Sequence, residues 1–93
     1  MSDAKTIKDW SEDEQPRERL MAKGASALTD AELLTILIGS GTRKKSALDL
    51  AREVLALAGD NLRELGRLGV EELQVLNGIG EARAVTICAA MEL

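Results

Sequence analysis

The stretch Val70-Glu71-Glu72-Leu73-Gln74-Val75-Leu76-Asn77-Gly78-Ile79-Gly80-Glu81-Ala82-Arg83-Ala84-Val85-Thr86-Ile87-Cys88-Ala89-Ala90-Met91-Glu92-Leu93 decides the reading of this chain. It divides into two short helical segments joined by a hairpin, Asn77-Gly78-Ile79-Gly80. Gly78 and Gly80 remove Cβ where the backbone must turn sharply or meet another backbone closely, and Ile79 between them is an apolar plug that ties the turn to a core. The second helix starts directly after Gly80. Its unpaired N–H groups and positive dipole end therefore face the same point as the amides of the turn. Such a point suits an anion, a nucleic-acid phosphate in particular.

Upstream of that stretch the chain reads as further short helices, five or six in all, with no convincing strand. Residues 1–15 are polar, lack helical periodicity and read as a mobile acidic arm that Trp10 staples to the core. Pro16 marks the first turn of a helix running through Leu20 and Met21, with Gly24 as its stop. Thr29 followed by Glu32 is a capping box opening a helix that carries Leu33, Leu34, Ile36, Leu37 and Ile38 and ends near Gly39. This helix is apolar on nearly every side, which predicts burial on more than one face. The β-branched residues within 35–38 leave a strand open there, although the flanking cap and glycine favour helix. Ser46 or Thr42 begins the next helix, where Leu48, Ala51, Val54 or Leu55 and Ala58 recur at helical spacing up to Gly59. Asp60 is placed to cap a short connecting helix through Leu62, Leu65 and Leu68, closed by Gly69.

An internal repeat emerges when Gly39-Ser40-Gly41 is laid over Gly78-Ile79-Gly80, an offset of 39 residues. Glu32 then falls on Glu71, Leu34 on Leu73, Ile36 on Val75, Leu37 on Leu76 and Lys44 on Arg83. Each copy is an acidic-capped apolar helix, a Gly-x-Gly turn, a basic residue three places on, and a second helix. Two such hairpins, near 39–42 and 77–80, would pack as a pseudo-twofold pair pointing the same way, able to grip phosphates across a minor groove without reading sequence. The first copy is the weaker: polar Ser40 replaces the plug and at least one extra residue follows. Chance matching of Leu-rich helices is the bland alternative.

Composition removes several functions. With 93 residues the chain makes one domain, and its single Trp and lack of Phe or Tyr leave a core of small aliphatic side chains. One Cys and no His exclude an internal disulfide, the usual Cys/His zinc spacing and Ser-His or Cys-His catalysis. The longest apolar run, 31–38, is too short to span a bilayer and the N-terminus is not a signal sequence, which points to a reducing cytoplasm and no membrane partner. A net charge of −4 and a pI near 4.8 argue against general affinity for polyanions. Charge is uneven, however: Asp9, Glu12, Asp13 and Glu14 crowd the arm, whereas Arg43-Lys44-Lys45 is the only run of three basic residues. That run reads as readily as a plain solvated loop or first helical turn as it does as a phosphate-facing patch. Cys88, beside Val85 and Met91, reads as a packed hydrophobe rather than a reactive thiol.

The second hairpin resembles the helix-hairpin-helix motif of DNA repair and recombination proteins. Leu76, Gly78, Ile79, Gly80, Ala84 and Ile87 match its pattern, with Asn77 where a Pro is common. Over nearly its whole length the chain resembles the N-terminal region of the bacterial RadC family. The resemblance is carried by Ile7-Lys8-Asp9-Trp10, Pro16-Arg17-Glu18-Arg19-Leu20, Gly24-Ala25, Ala27-Leu28-Thr29-Asp30-Ala31-Glu32-Leu33-Leu34, Gly41-Thr42 and Gly78-Ile79-Gly80-Glu81-Ala82-Arg83-Ala84. It implies an all-α, tandem helix-hairpin-helix (SAM/RuvA-C-like) domain over residues 16–93. It also implies a following metal-dependent JAB/MPN hydrolase domain with a His-x-His plus Asp zinc site, for which this His-free sequence has no residues.

Carried over residue by residue, the resemblance places phosphate donors at Gly78, Gly80 and Ala82 around Ile79, with Arg83 as supporting cation. Gly39, Gly41, Arg43, Lys44 and Lys45 form the counterpart in the first hairpin. No cofactor is required, although hairpin carbonyls at Gly78–Gly80 could hold a monovalent cation, and zinc belongs to the hydrolase domain alone. Glu81, good for the helix dipole, repels a phosphate at the same place. Three classes stay open: sequence-independent DNA binding, a docking or positioning module for the hydrolase domain in cis or for a protein partner, and, least supported, catalysis. A joined positive patch at Arg43, Lys44, Lys45 and Arg83 would favour the first, and an exposed apolar stripe the second.

Overall fold

The computed structural model describes residues 15–93. The chain is all-α: α1 (Gln15–Lys23), α2 (Asp30–Ile38), α3 (Ala47–Leu57), α4 (Leu62–Leu65), α5 (Val70–Leu73) and α6 (Glu81–Glu92), with one 3-10 turn at Ala25–Ala27 and no strand among the described residues. Residues 35–38, where a strand stayed open, complete α2. The N-terminal arm, including Trp10 and the acidic cluster from Asp9 to Glu14, lies outside the described residues apart from Gln15, which opens α1.

Caps fix most boundaries. The Thr29 Oγ1 accepts from the Glu32 amide at 3.2 Å while Glu32 Oε1 accepts from the Thr29 amide at 2.9 Å, so the predicted box opens α2. The other Glu32 oxygen accepts from Arg19, pinning α1 to α2. Of the two candidates for α3, Ser46 is the cap, in a second box with Asp49. That start sets the phase of α3: Ala47, Leu50, Ala51 and Val54 are buried, and Leu48, assigned by spacing to the core face, is only half-buried.

Two expectations need correction. Asn61, not Asp60, caps α4: its Oδ1 accepts from the amides of Arg63 at 2.8 Å and Glu64 at 3.2 Å. Asp60 is unavailable because it closes the end of α3 in a left-handed conformation, φ 57°, its amide bonded to Leu55 O at 2.7 Å. α4 then stops at Gly66 rather than reaching Gly69.

α2 packs against α1, α3 and α6, which explains its apolar character on several faces. Leu34 and Ile38 are buried there, and Leu37 is left 37% exposed. Leu50, Val54, Leu65, Leu73, Ile79, Ala84 and Ile87 complete a single core. Each large aliphatic side chain buried in it is worth about 1.5–3 kcal/mol. Cys88 packs half-buried against this core, its Sγ donating to Leu68 O at 3.6 Å. Thr35, the one polar side chain among the buried described residues, donates to Ala31 O at 2.7 Å, so its burial leaves no unpaired group.

Candidate functional site

α5 and α6 are joined by a tight turn through Gly78, Ile79 and Gly80, and each of the three residues has a separate physical role. Ile79 is 2% exposed and anchors the turn in the core. Gly78 has φ 100°, and a Cβ there would stand 2.7 Å from Leu50 Cδ2 and 3.2 Å from Thr42 Cγ2. Only glycine meets both demands. Gly80 is different. Its φ of −86° suits any residue, and a Cβ would meet nothing within 4 Å. Nothing inside the fold requires glycine at 80.

Gly80 is the N-cap of α6 and offers no side-chain cap. The first backbone bond of the helix runs from the Ala84 amide to Gly80 O at 3.0 Å, so the amides of Glu81, Ala82 and Arg83 have no acceptor among the described residues. The Ile79 amide is taken by Leu76 O at 3.1 Å.

The first turn is built otherwise. Gly39 donates to Thr35 O at 3.0 Å, Thr42 to Lys45 O at 2.8 Å, and the amides of Lys44 and Lys45 both to Thr42 Oγ1 at 3.2 Å. Gly41 is required by close approach, since a Cβ there would lie 2.2 Å from Lys45 O. The first turn spends these amides on its own shape and presents side chains instead. Arg43 and Lys44 are exposed and have no acidic partner among the described residues, while Lys45 Nζ pairs with Glu53 Oε1 at 3.0 Å.

The proposed repeat is thus partly realised. Leu34 and Leu73 are equivalent buried residues, 3% and 0% exposed. The acidic cap of the second copy is Glu72, whose Oε1 accepts from the Gly69 amide at 2.7 Å, and not Glu71. Val75, paired by offset with Ile36, is 69% exposed because α5 is only one turn long. Lys44 does not correspond to Arg83 either: residues 42–46 intervene before α3, whereas α6 begins immediately after Gly80. Lys44 therefore lies in a loop and Arg83 in the first turn of a helix.

Arg83 joins the two turns. Its Nη1 donates to Gly78 O at 2.8 Å, its Nη2 to Ser40 O at 2.8 Å and Ser40 Oγ at 3.4 Å, and its Nε to Ile38 O at 3.4 Å. The carbonyl of Gly78, one that a hairpin cation would use, is among those acceptors.

Between the turns lies a pocket of about 320 Å3 lined by Thr42, Arg43, Lys44, Lys45, Asn77 and Gly78. It brings the basic run of the first turn against the backbone of the second. Neither Thr42 nor Asn77 is among the site residues expected from the sequence. Thr42 sits just before the basic run and could have been found by asking which hydroxyl folds that loop; Asn77 was read only as a turn residue. Glu81 is exposed and forms no ion pair among the described residues.

A second, apolar pocket of about 170 Å3 is lined by Asp30, Leu33, Leu34, Leu37, Leu62, Ala90 and Met91. Among the described residues no group of three or more His, Cys, Asp or Glu side chains is placed to hold a metal ion, and no helix is long and apolar enough to cross a membrane.

A family profile described as UPF0758 N-terminal matches residues 7–85. A UPF0758 protein of Flavobacterium johnsoniae is 58% identical over 87 residues, covering 94% of this chain and 38% of that protein. One of Trichlorobacter lovleyi is 51% identical over 89 residues, covering 94% and 39%, and one of Porphyromonas gingivalis 48% identical over 89 residues, covering 95% and 39%. The chain therefore spans about two fifths of the length of these relatives. No solved structure matches it.

Proposed function

The chain belongs to the UPF0758 family, which is the RadC family, and from that membership we propose that it is a non-catalytic, sequence-independent DNA-binding domain. The observation that carries this reading is the shared pocket in which Arg43, Lys44 and Lys45 face the Asn77-Gly78 backbone. In this reading α5, the turn and α6 act as a helix-hairpin-helix motif. The open amides at the start of α6 take one phosphate, the cations of the first turn take its neighbours on the strand, and the charge of Arg83 lies behind both. Gly80 supports it: the fold does not need a glycine there, but a phosphate approaching the amides would. Net charge does not oppose it, because a local field of opposite sign can govern binding over distances near a Debye length, about 10 Å.

About two to four phosphates would be neutralised, giving weak, micromolar binding with a salt slope of about −0.9 per phosphate. Fluorescence anisotropy of labelled duplexes at several salt concentrations tests this. Similar affinity for unrelated sequences with a slope of about −2 to −4 is the expected result, and no binding at low salt overturns it.

The apolar pocket at Leu33, Leu37, Leu62 and Met91 favours a second reading, a docking or positioning module for the metal-dependent hydrolase domain of the family or for another protein. Under that reading Leu37→Ser, which removes a 37% exposed leucine, disrupts association while leaving DNA affinity untouched.

A further inference from the structure

We propose that Arg83 is a positioning residue that fastens two chain segments into one composite phosphate pocket, rather than a phosphate ligand in its own right; this rests on the phosphate-binding reading above. The guanidinium already has four acceptors, and they come from both turns: Ile38 and Ser40 on one side, Gly78 on the other, more than thirty-five positions apart in sequence. Its planar fork donates from three nitrogens in one plane, so it sets both the separation and the relative orientation of the carbonyls it holds. A lysine in its place would keep the charge and lose that definition.

The consequence falls on the pocket. One wall is Thr42 to Lys45, the loop that follows Ser40, and the other is Asn77 and Gly78. The Arg83 bonds to Ser40 and Gly78 lie at the roots of the two walls, so this side chain ties the two walls of the pocket to each other. A second contact works in the same sense: Gly78 packs so closely on Leu50 and Thr42 that a methyl group there would overlap them. Neither turn supplies a complete site. The first has cations but its amides are largely consumed, and the second has open amides but only Arg83 as a basic side chain. Held together they present the cations of the first turn and the open amides of the second to neighbouring phosphates of one strand.

The test compares Arg83→Lys with the double variant Arg43→Ala/Lys44→Ala in the 93-residue chain. In the free Arg83→Lys protein, amide resonances of residues 38–42 and 77–80 shift, and affinity for a short duplex falls about tenfold. The double variant loses affinity with free-state shifts confined to its own loop. Unmoved turns in free Arg83→Lys, or moved turns with wild-type affinity, overturn the proposal.

A measurement on the unmutated protein keeps the question open to refutation if Arg83→Lys fails to fold. The Arg83 guanidinium protons exchange with water more slowly than those of Arg43 and show contacts to Ser40 and Gly78, and equal exchange rates overturn the clamp. If the wild type binds no DNA, the phosphate-binding reading fails by itself. Titration with inorganic phosphate then decides the pocket: shifts at both turns sustain it, and shifts at one turn or at neither overturn it.

Discussion

Gly80 and Gly78 differ by two positions and by everything that requires them. Gly78 is needed by the fold, for its φ of 100° and its contact with Leu50, whereas Gly80 occupies ordinary helix N-cap geometry in open space. Serine is a better N-cap than glycine by a few tenths of a kcal/mol, because its hydroxyl accepts from the amide two or three residues on. Gly80→Ser is therefore expected to leave thermal stability equal or slightly raised while lowering DNA affinity severalfold, since the hydroxyl takes the amide of Ala82 or Arg83 that the phosphate needs; anisotropy and a melting curve on the same sample read both. The basic run divides in a similar way. Lys44 has no ion pair among the described residues and Lys45 is held by Glu53 at 3.0 Å, so Lys44→Ala lowers the salt slope by roughly 1 and Lys45→Ala by less. Equal slopes for the two variants would show that the Glu53 pair does not restrain Lys45.

At the scale of the elements, the caps carry the organisation. α2 is nine residues long, α4 and α5 four each, all below the length at which a helix holds itself in water, so their ends must be fixed from outside. Thr29→Ala is expected to cost about 1 kcal/mol. Urea unfolding measures it, and a loss below about 0.3 kcal/mol would mean that the Arg19–Glu32 pair alone holds the start of α2. Boundaries with a strong local signal were legible in the sequence: the Thr29–Glu32 box and the glycine stops at 24 and 39, whereas the start of α3 stayed open between Thr42 and Ser46 until the Ser46–Asp49 box decided it. Those that depended on how one helix ends were not. Asp60 and Asn61 are both good caps by type, and the left-handed close of α3 chooses between them. The 3-10 turn at Ala25–Ala27 left no periodic mark at all.

Over the whole molecule, the site depends on bringing together segments far apart in sequence, and this is where the sequence spoke least. The hairpin at 77–80, the basic run at 43–45 and the likeness between the two turns were all visible, each as a local pattern. That the first turn consumes its amides through Thr42, that residues 42–46 displace Lys44 from the place of Arg83, and that Arg83 reaches across to Ser40 are products of tertiary packing and have no local signature. The central claim is accordingly that the two turns act as one surface. An NMR titration of the labelled chain with a short duplex, at low and then moderate salt, tests it most directly. Concerted shifts at residues 39–45 and 78–84 with a single affinity, reversed by salt, are predicted; shifts confined to one turn, or centred instead on Leu33, Leu37, Leu62 and Met91, would contradict it.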